Sequence, residues 1–162
     1  LALEIVLDGA DAWEAGALAV WRRRAGLTDD PPPHLPPPAR ATLAEVLTEQ
    51  AFARMVPLAA RFTAGVQEVL DSRRVPWNIV QLGARAEYRF CPRPPRTGGE
   101  SAAAHDGELD AYMHVYLMNR GVLITPFHNM ALMCPDTVEA DVDRHTEVFA
   151  QAVDDLIGAN GG

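Results

Sequence analysis

Residues 120–145 read RGVLITPFHNMALMCPDTVEADVDRH, and three patterns follow one another within them. VLITPF (122–127) and MALMC (130–134) are short apolar runs of strand length and composition, separated by His128 and Asn129. Pro135, Asp136 and Thr137 end the second run and open a helix, with Thr137 as its expected N-cap. Beyond it Val142, Phe149, Val153 and Leu156 recur at helical spacing and form an expected buried stripe. Glu139, Asp141 and Asp143 load the first turns with the charge that a helix N-terminus favours. From Thr137 to Ile157 there are six acids and one arginine, the composition of a solvated outer face.

Working outward, Leu109, Tyr112, Met113, Tyr116 and Leu117 repeat at helical spacing over 107–120, and Gly121 stands where a left-handed C-terminal cap belongs. NIVQLGA (78–84) and AEYRFC (86–91) read as two adjoining strands, and PRPPRTGGE (92–100) as the loop that ends them. Thr42 and Glu45 make a capping-box spacing that opens a short helix, TLAEVL. After Thr48 a helical stripe of Phe52, Met55, Val56, Ala59, Phe62, Val66, Val69 and Leu70 runs to a helix end near Arg74, with Pro57 predicting a kink or a start at that point. The order helix, strand, strand, helix, strand, strand, helix predicts an α+β fold: a small antiparallel or mixed sheet with helices packed on one face.

The N-terminal residues differ. Residues 1–30 hold the apolar LEIVL and an expected helix over about 11–25. Residues 31–38 carry six prolines in eight positions, which cannot supply helix hydrogen bonds and read as an extended linker. Residues 39–158 make up the expected domain, enough for one core without disulfides, and 159–162 a flexible tail.

The 162 residues carry 22 acids against 14 basic residues, a net charge of −8. Such a field repels phosphate backbones and anionic headgroups, so neither nucleic acid nor a membrane is the expected partner. No run of about 18 apolar residues is present, and the first residues carry acids where a signal peptide carries cations. All 14 basic residues are arginine, so this stretch offers no Schiff-base lysine and no Walker-type phosphate loop. Cys91 and Cys134 stand alone, which argues against a disulfide framework, fits a reducing cytoplasm, and suggests two buried small hydrophobes. His105, Asp106 and His114 have no second pair of ligands, so no metal site is expected.

The stretch LMNRGVLITPFHNMALMCPDTVEADVDRHTEVFAQAVDDL (117–156) resembles the C-terminal segment of class III pyridoxal-phosphate aminotransferases, in the glutamate-1-semialdehyde aminomutase-like branch. PARATLAEVLTEQAFARMVPLAARFTAGVQEVL (38–70) is similar to the helical passage leaving the large domain of these enzymes, and GARAEYRF (83–90) to a strand pair of their small domain. The resemblance covers residues 39–158 and implies the C-terminal domain of a fold-type I aminotransferase. The parent activity it implies moves an amino group between an amino acid or amine and a keto acid or aldehyde. In the family a large domain supplies the aldimine lysine, the aspartate that pairs the pyridine nitrogen and the phosphate loops. The resemblance thus implies pyridoxal phosphate in the parent, no covalent hold on it by this chain, and a large domain or homodimer partner.

By the same resemblance Phe127, His128, Asn129 and Met130 form a loop that lines the substrate; a plain connection with Phe127 buried is the alternative. Other class III branches carry a substrate-carboxylate arginine where this chain has Ala131, so a carboxylate contact falls to Arg85, Arg89, Arg120 or the large domain. Arg120 equally suits a cation at a helix C-terminus, and of Tyr88 and Arg89, neighbours in a strand, one points outward. A reading from another class is a non-enzymatic interaction module that uses the proline run and an exposed apolar face.

Overall fold

The spacing that begins after Thr48 builds the longest helix, α1 (Glu49–Arg73). Its buried residues, Ala51, Met55, Ala59, Phe62, Val66, Val69 and Leu70, step by three and four along one face. Phe52 and Val56 fall off that face and are exposed, against the expected stripe. The helix also runs unbroken through Pro57. Ala53 and Pro57 are both exposed, so the carbonyl that loses its N–H partner lies on the solvated side, where water replaces the bond. The computed structural model describes residues 46–125 and 128–160. The chain divides into two units, Leu1–Thr48 and Glu49–Gly162, and the elements below belong to the second. The expected helix over 11–25, the proline run and most of TLAEVL lie outside the described residues.

At its C-terminus α1 closes with Val75 N–H donating to the Leu70 carbonyl (3.0 Å) and Arg74 N–H to that of Asp71 (3.2 Å), with Arg74 at φ 55°. This is the Schellman arrangement, here with a non-glycine residue in the left-handed position. The two expected strands follow as β1 (Asn78–Leu82) and β2 (Arg85–Arg89), antiparallel, in the register Ile79 opposite Tyr88 and Val80 opposite Glu87. β3 (Met130–Leu132) pairs antiparallel with β2, Ala86 opposite Ala131, giving the order β1-β2-β3. Period-two alternation sends Ile79, Gln81, Ala86, Tyr88 and Ala131 to the helix side, and Val80, Leu82, Arg85, Glu87, Arg89, Met130 and Leu132 to the other.

The two remaining long elements are α3 (Gly107–Met118) and α4 (Glu139–Asn160), with the short α2 (Gly98–Ala103) ahead of them. α2 occupies the end of the expected loop at 92–100. Its signal is Thr97 three residues before Glu100: the Thr97 hydroxyl accepts from Glu100 N–H (3.2 Å), and the Glu100 carboxylate accepts from Arg96 N–H (2.7 Å). α3 is capped by Asp106 and ends as expected at Gly121, φ 82°, with Val122 N–H on the Leu117 carbonyl (3.0 Å).

The expected strand 122–127 does not form over 122–125. Ile124 is buried there, so the apolar run reflects burial of a connection rather than a ladder, an ambiguity inherent in short apolar runs. The strand expected at 130–134 is shortened to three residues. Nor is Thr137 the N-cap of α4: its hydroxyl accepts from Cys134 N–H (2.9 Å), while the Asp141 carboxylate accepts from Val138 N–H (3.0 Å).

The core lies where α1 and α4 pack on each other and on the inner face of the sheet. Val142, Phe149 and Val153 are buried as expected and Leu156 is half-buried; His145, Val148 and Ala152 join them. The Phe149 ring stands edge-on to Tyr88 at 4.9 Å. Gly65 of α1 lies so close to α4 that a Cβ would come within 2.7 Å of the Thr146 hydroxyl oxygen, which makes it a contact only glycine fits. α3 is tied to α4 by the Tyr112 hydroxyl on the Ala152 carbonyl (2.8 Å) and the Tyr116 hydroxyl on Asp155 (2.6 Å).

Candidate active-site wall

On the face of β2 turned away from the long helices, Arg85, Glu87 and Arg89 stand in line because they are two residues apart in a strand. The Glu87 carboxylate is 3.0 Å from the Arg85 guanidinium, 3.3 Å from that of Arg89 and 3.5 Å from Nδ1 of His128. Both strand arginines are thereby committed to one acid, and Arg89 points outward while Tyr88 is buried, as alternation requires. Arg120, the remaining carboxylate candidate, lies over the Tyr116 ring at 3.5 Å and donates to the Tyr116 carbonyl. It serves the end of α3.

Of the expected loop, His128, Asn129 and Met130 are described and Phe127 lies outside the described residues. His128 is exposed, whereas Asn129 is only 6% exposed. The Asn129 carbonyl accepts from Tyr88 N–H (3.1 Å), and Met130 N–H donates back to the His128 carbonyl (2.7 Å). Asn129 Nδ2 donates to Asp110 of α3 (2.6 Å), whose other oxygen is 3.0 Å from Nδ1 of His105. Together Glu87, Arg89, His105, Asp110, His128 and Asn129 border a cavity of about 320 Å³ between β2, α2 and the loop.

The structure thus gathers Arg89, His128 and Asn129 around one cavity, places Met130 in β3 opposite Glu87, and leaves Arg120 elsewhere. Glu87 and Asp110 are not among the residues that the sequence singles out. A signal for Glu87 exists, since an acid flanked at both i±2 positions by arginine in a strand shares a face with both. Asp110 carries none, because its partner is 19 residues away.

The other titratable groups stand apart. The Tyr88 hydroxyl is buried without a partner, and burial, with the Asp110 charge adding, holds its ionisation well above the usual range. His145 is pushed down to about 3 by burial; both its ring nitrogens lack partners, and its ring packs on Phe62 at 4.3 Å. Cys134 is exposed and Cys91 half-buried, against the expectation that both are buried. The Thr137 hydroxyl and backbone N–H groups lower the Cys134 thiol below its ordinary value. Among the described residues no group of three or more metal ligands occurs, and His105 and Asp106 are engaged with Asp110 and the α3 cap. Among them, too, no helix is long and apolar enough to cross a membrane.

A glutamate-1-semialdehyde aminomutase from Pseudomonas aeruginosa PAO1 shares 49% identity with this chain and superposes with a TM-score of 0.70, over 72% of this chain and 26% of its own. The chain belongs to the class III aminotransferase family. An omega-transaminase from Sphaerobacter thermophilus matches at 27% identity and a TM-score of 0.57, over 67% of this chain and 25% of that one. A beta-phenylalanine aminotransferase from Variovorax paradoxus, 22% identical, shares the fold at a TM-score of 0.55 over 77% of this chain and 28% of its own. No protein-family model matches the chain. This class III chain spans about a quarter of the length of the solved enzymes it matches.

The family is pyridoxal-phosphate-dependent, and one aminomutase structure holds PMP. The residues present here do not fit covalent attachment of that group: the 162 residues contain no lysine, and an imine needs a primary amine side chain. What the chain presents is a strand face and a loop fixed from two sides.

Proposed function

We propose that the chain is the small domain of a class III aminotransferase, with the loop through His128, Asn129 and Met130 as one wall of a site completed by a lysine-bearing large domain. The parent reaction moves an amino group between an amino acid or amine and a keto acid or aldehyde. The observation that carries this reading is the 49% identity with an aminomutase over 72% of the chain. By itself the chain is not catalytic, since no side chain in it forms the cofactor imine. Because Arg85, Arg89 and Arg120 are already paired or stacked, the wall holds no spare guanidinium for a substrate carboxylate, and that contact belongs to the large domain. A cytoplasmic setting suits its free thiols.

The chain incubated with pyridoxal phosphate and borohydride should give no adduct at a lysine and no transaminase turnover with any donor. Co-expressed with a lysine-bearing large domain of the same family, it should restore turnover. That turnover should fall on changing Asn129 or Met130 and persist on changing the outer acid Asp154. Turnover by the chain alone overturns the proposal. A second reading, a protein-interaction module, draws on the exposed Leu82, Leu123 and Leu132. It requires a monodisperse chain in size-exclusion chromatography that binds a partner without any aminotransferase domain.

A further inference from the structure

We propose that Asp110 is a positioning residue: it sets the orientation of the Asn129 carboxamide and, through it, the path of His128–Met130 across the end of the sheet. Asn129 is nearly buried and is held twice, by its carbonyl on the Tyr88 N–H of β2 and by its side chain on Asp110 of α3. The second bond, at 2.6 Å, spans 19 residues and joins the loop to α3. An ionised carboxylate only accepts, so the Asn129 nitrogen must face Asp110 and its oxygen must turn away. The carboxamide then presents one definite face, with no freedom to flip.

Asp110 is itself fixed. It lies in the first turn of α3, where a negative side chain suits the helix dipole, and His105 stands 3.0 Å from its second oxygen. The N-cap duty belongs to Asp106, whose carboxylate accepts from Glu108 and Leu109 N–H, so Asp110 can be changed without uncapping the helix. Removing its carboxylate leaves a buried amide donor unpaired, a strong drive for the loop to move. The catalytic weight of this pair rests on the proposed wall; the pair itself does not.

The test uses the whole chain and nuclear magnetic resonance. In the unchanged protein the Asn129 side-chain amide should be shifted downfield and exchange slowly. Asp110→Ala should abolish that signature and speed exchange of the Tyr88 backbone amide by about tenfold or more, while the amides of Phe149 and Val153 keep their protection. The exchanged pair, Asp110→Asn with Asn129→Asp, should restore Tyr88 protection, because donor and acceptor have only changed places. Unchanged Asn129 and Tyr88 signals in Asp110→Ala overturn the proposal, as does failure of the exchanged pair to restore protection. If Asp110→Ala does not fold, the exchanged pair decides alone by the same Tyr88 amide. Lack of turnover by the unchanged chain with a large domain counts against the wall and leaves the Asp110–Asn129 pairing untouched.

Discussion

Glu87 and Tyr88 are neighbours in β2 and face opposite ways. Tyr88 points into the seam between α1 and α4, where it meets Phe149 and, at 6.5 Å, the ring of His145. Glu87 points out among Arg85, Arg89 and His128. Three polar atoms on the inner side go without partners among the described residues: the Tyr88 hydroxyl and both His145 nitrogens are buried and unbonded. On the outer side nearly every charge has a mate. A tightly packed seam tolerates unpaired polar atoms because the apolar burial around them outweighs their desolvation. A half-wet face carries charge with little penalty and uses it to fix directions. The first region makes the fold, and the second has room for chemistry.

The largest effect that separates them should come from Phe149. Its side chain is fully buried between Tyr88 and the helices, so Phe149→Ala should cost about 3–5 kcal/mol in chemical denaturation. A loss under about 0.5 kcal/mol would mean that the seam is not the core.

His145, on the inner side, offers the next test. His145 is held neutral in the folded chain, with its ionisation pushed down to about 3, while the unfolded chain protonates it near pH 6.5. The unfolded state therefore takes up its proton first, and stability falls as the pH drops from about 6.5 toward 3. Between pH 7 and pH 5 the loss should be about 2 kcal/mol. His145→Phe, which keeps a ring against Phe62, should flatten that slope. An unchanged slope in His145→Phe would refute the assignment.

What is legible in the sequence divides along the same line. The helical stripes of α1 and α4, the hairpin of β1 and β2, and the Gly121 cap follow from local periodicity and turn chemistry, and the structure has them. The strand expected at 122–127 fails because an apolar run of six looks alike whether it pairs in a sheet or is buried as a connection. Thr137 fails as a cap because its hydroxyl turns back to accept from Cys134 N–H, while Asp141 of the first turn accepts from Val138 N–H. On the outer face, Arg89, His128 and Asn129 are legible through the family resemblance, yet what holds them, Glu87 and Asp110, is not. Their bonds are tertiary, and no local pattern encodes the distance from Asp110 to Asn129.

On the outer face itself the stability effect should be smaller. Glu87→Gln removes the charge that two arginines share and that His128 lies beside, but Arg85 and His128 are about half exposed and can be rehydrated. The expected loss is about 1 kcal/mol, with a changed His128 resonance as the local sign. A loss above about 3 kcal/mol in urea denaturation would place Glu87 in the folding core and erase the contrast between the two faces.

The smallest effect should come from the ion pair at the rim of the seam. Arg73 near the end of α1 meets Asp154 of α4 through two bonds, Nε to Oδ1 at 2.6 Å and a second nitrogen to Oδ2 at 2.8 Å. The pairing lowers the Asp154 carboxyl from its ordinary value, so its contribution is present at neutral pH and is lost as acid protonates the group. Geometry this regular invites the idea that the pair clamps the helices together. Exposure argues the other way: about half of the Asp154 side chain is open to solvent, and water and salt screen the attraction while ordering two side chains costs entropy. Asp154→Asn should therefore lower stability by about 0.5 kcal/mol at neutral pH, and less again in 1 M salt. Should the loss instead rival that of Phe149→Ala, the α1–α4 seam would be held by charge at its rim rather than by the rings and methyl groups inside it.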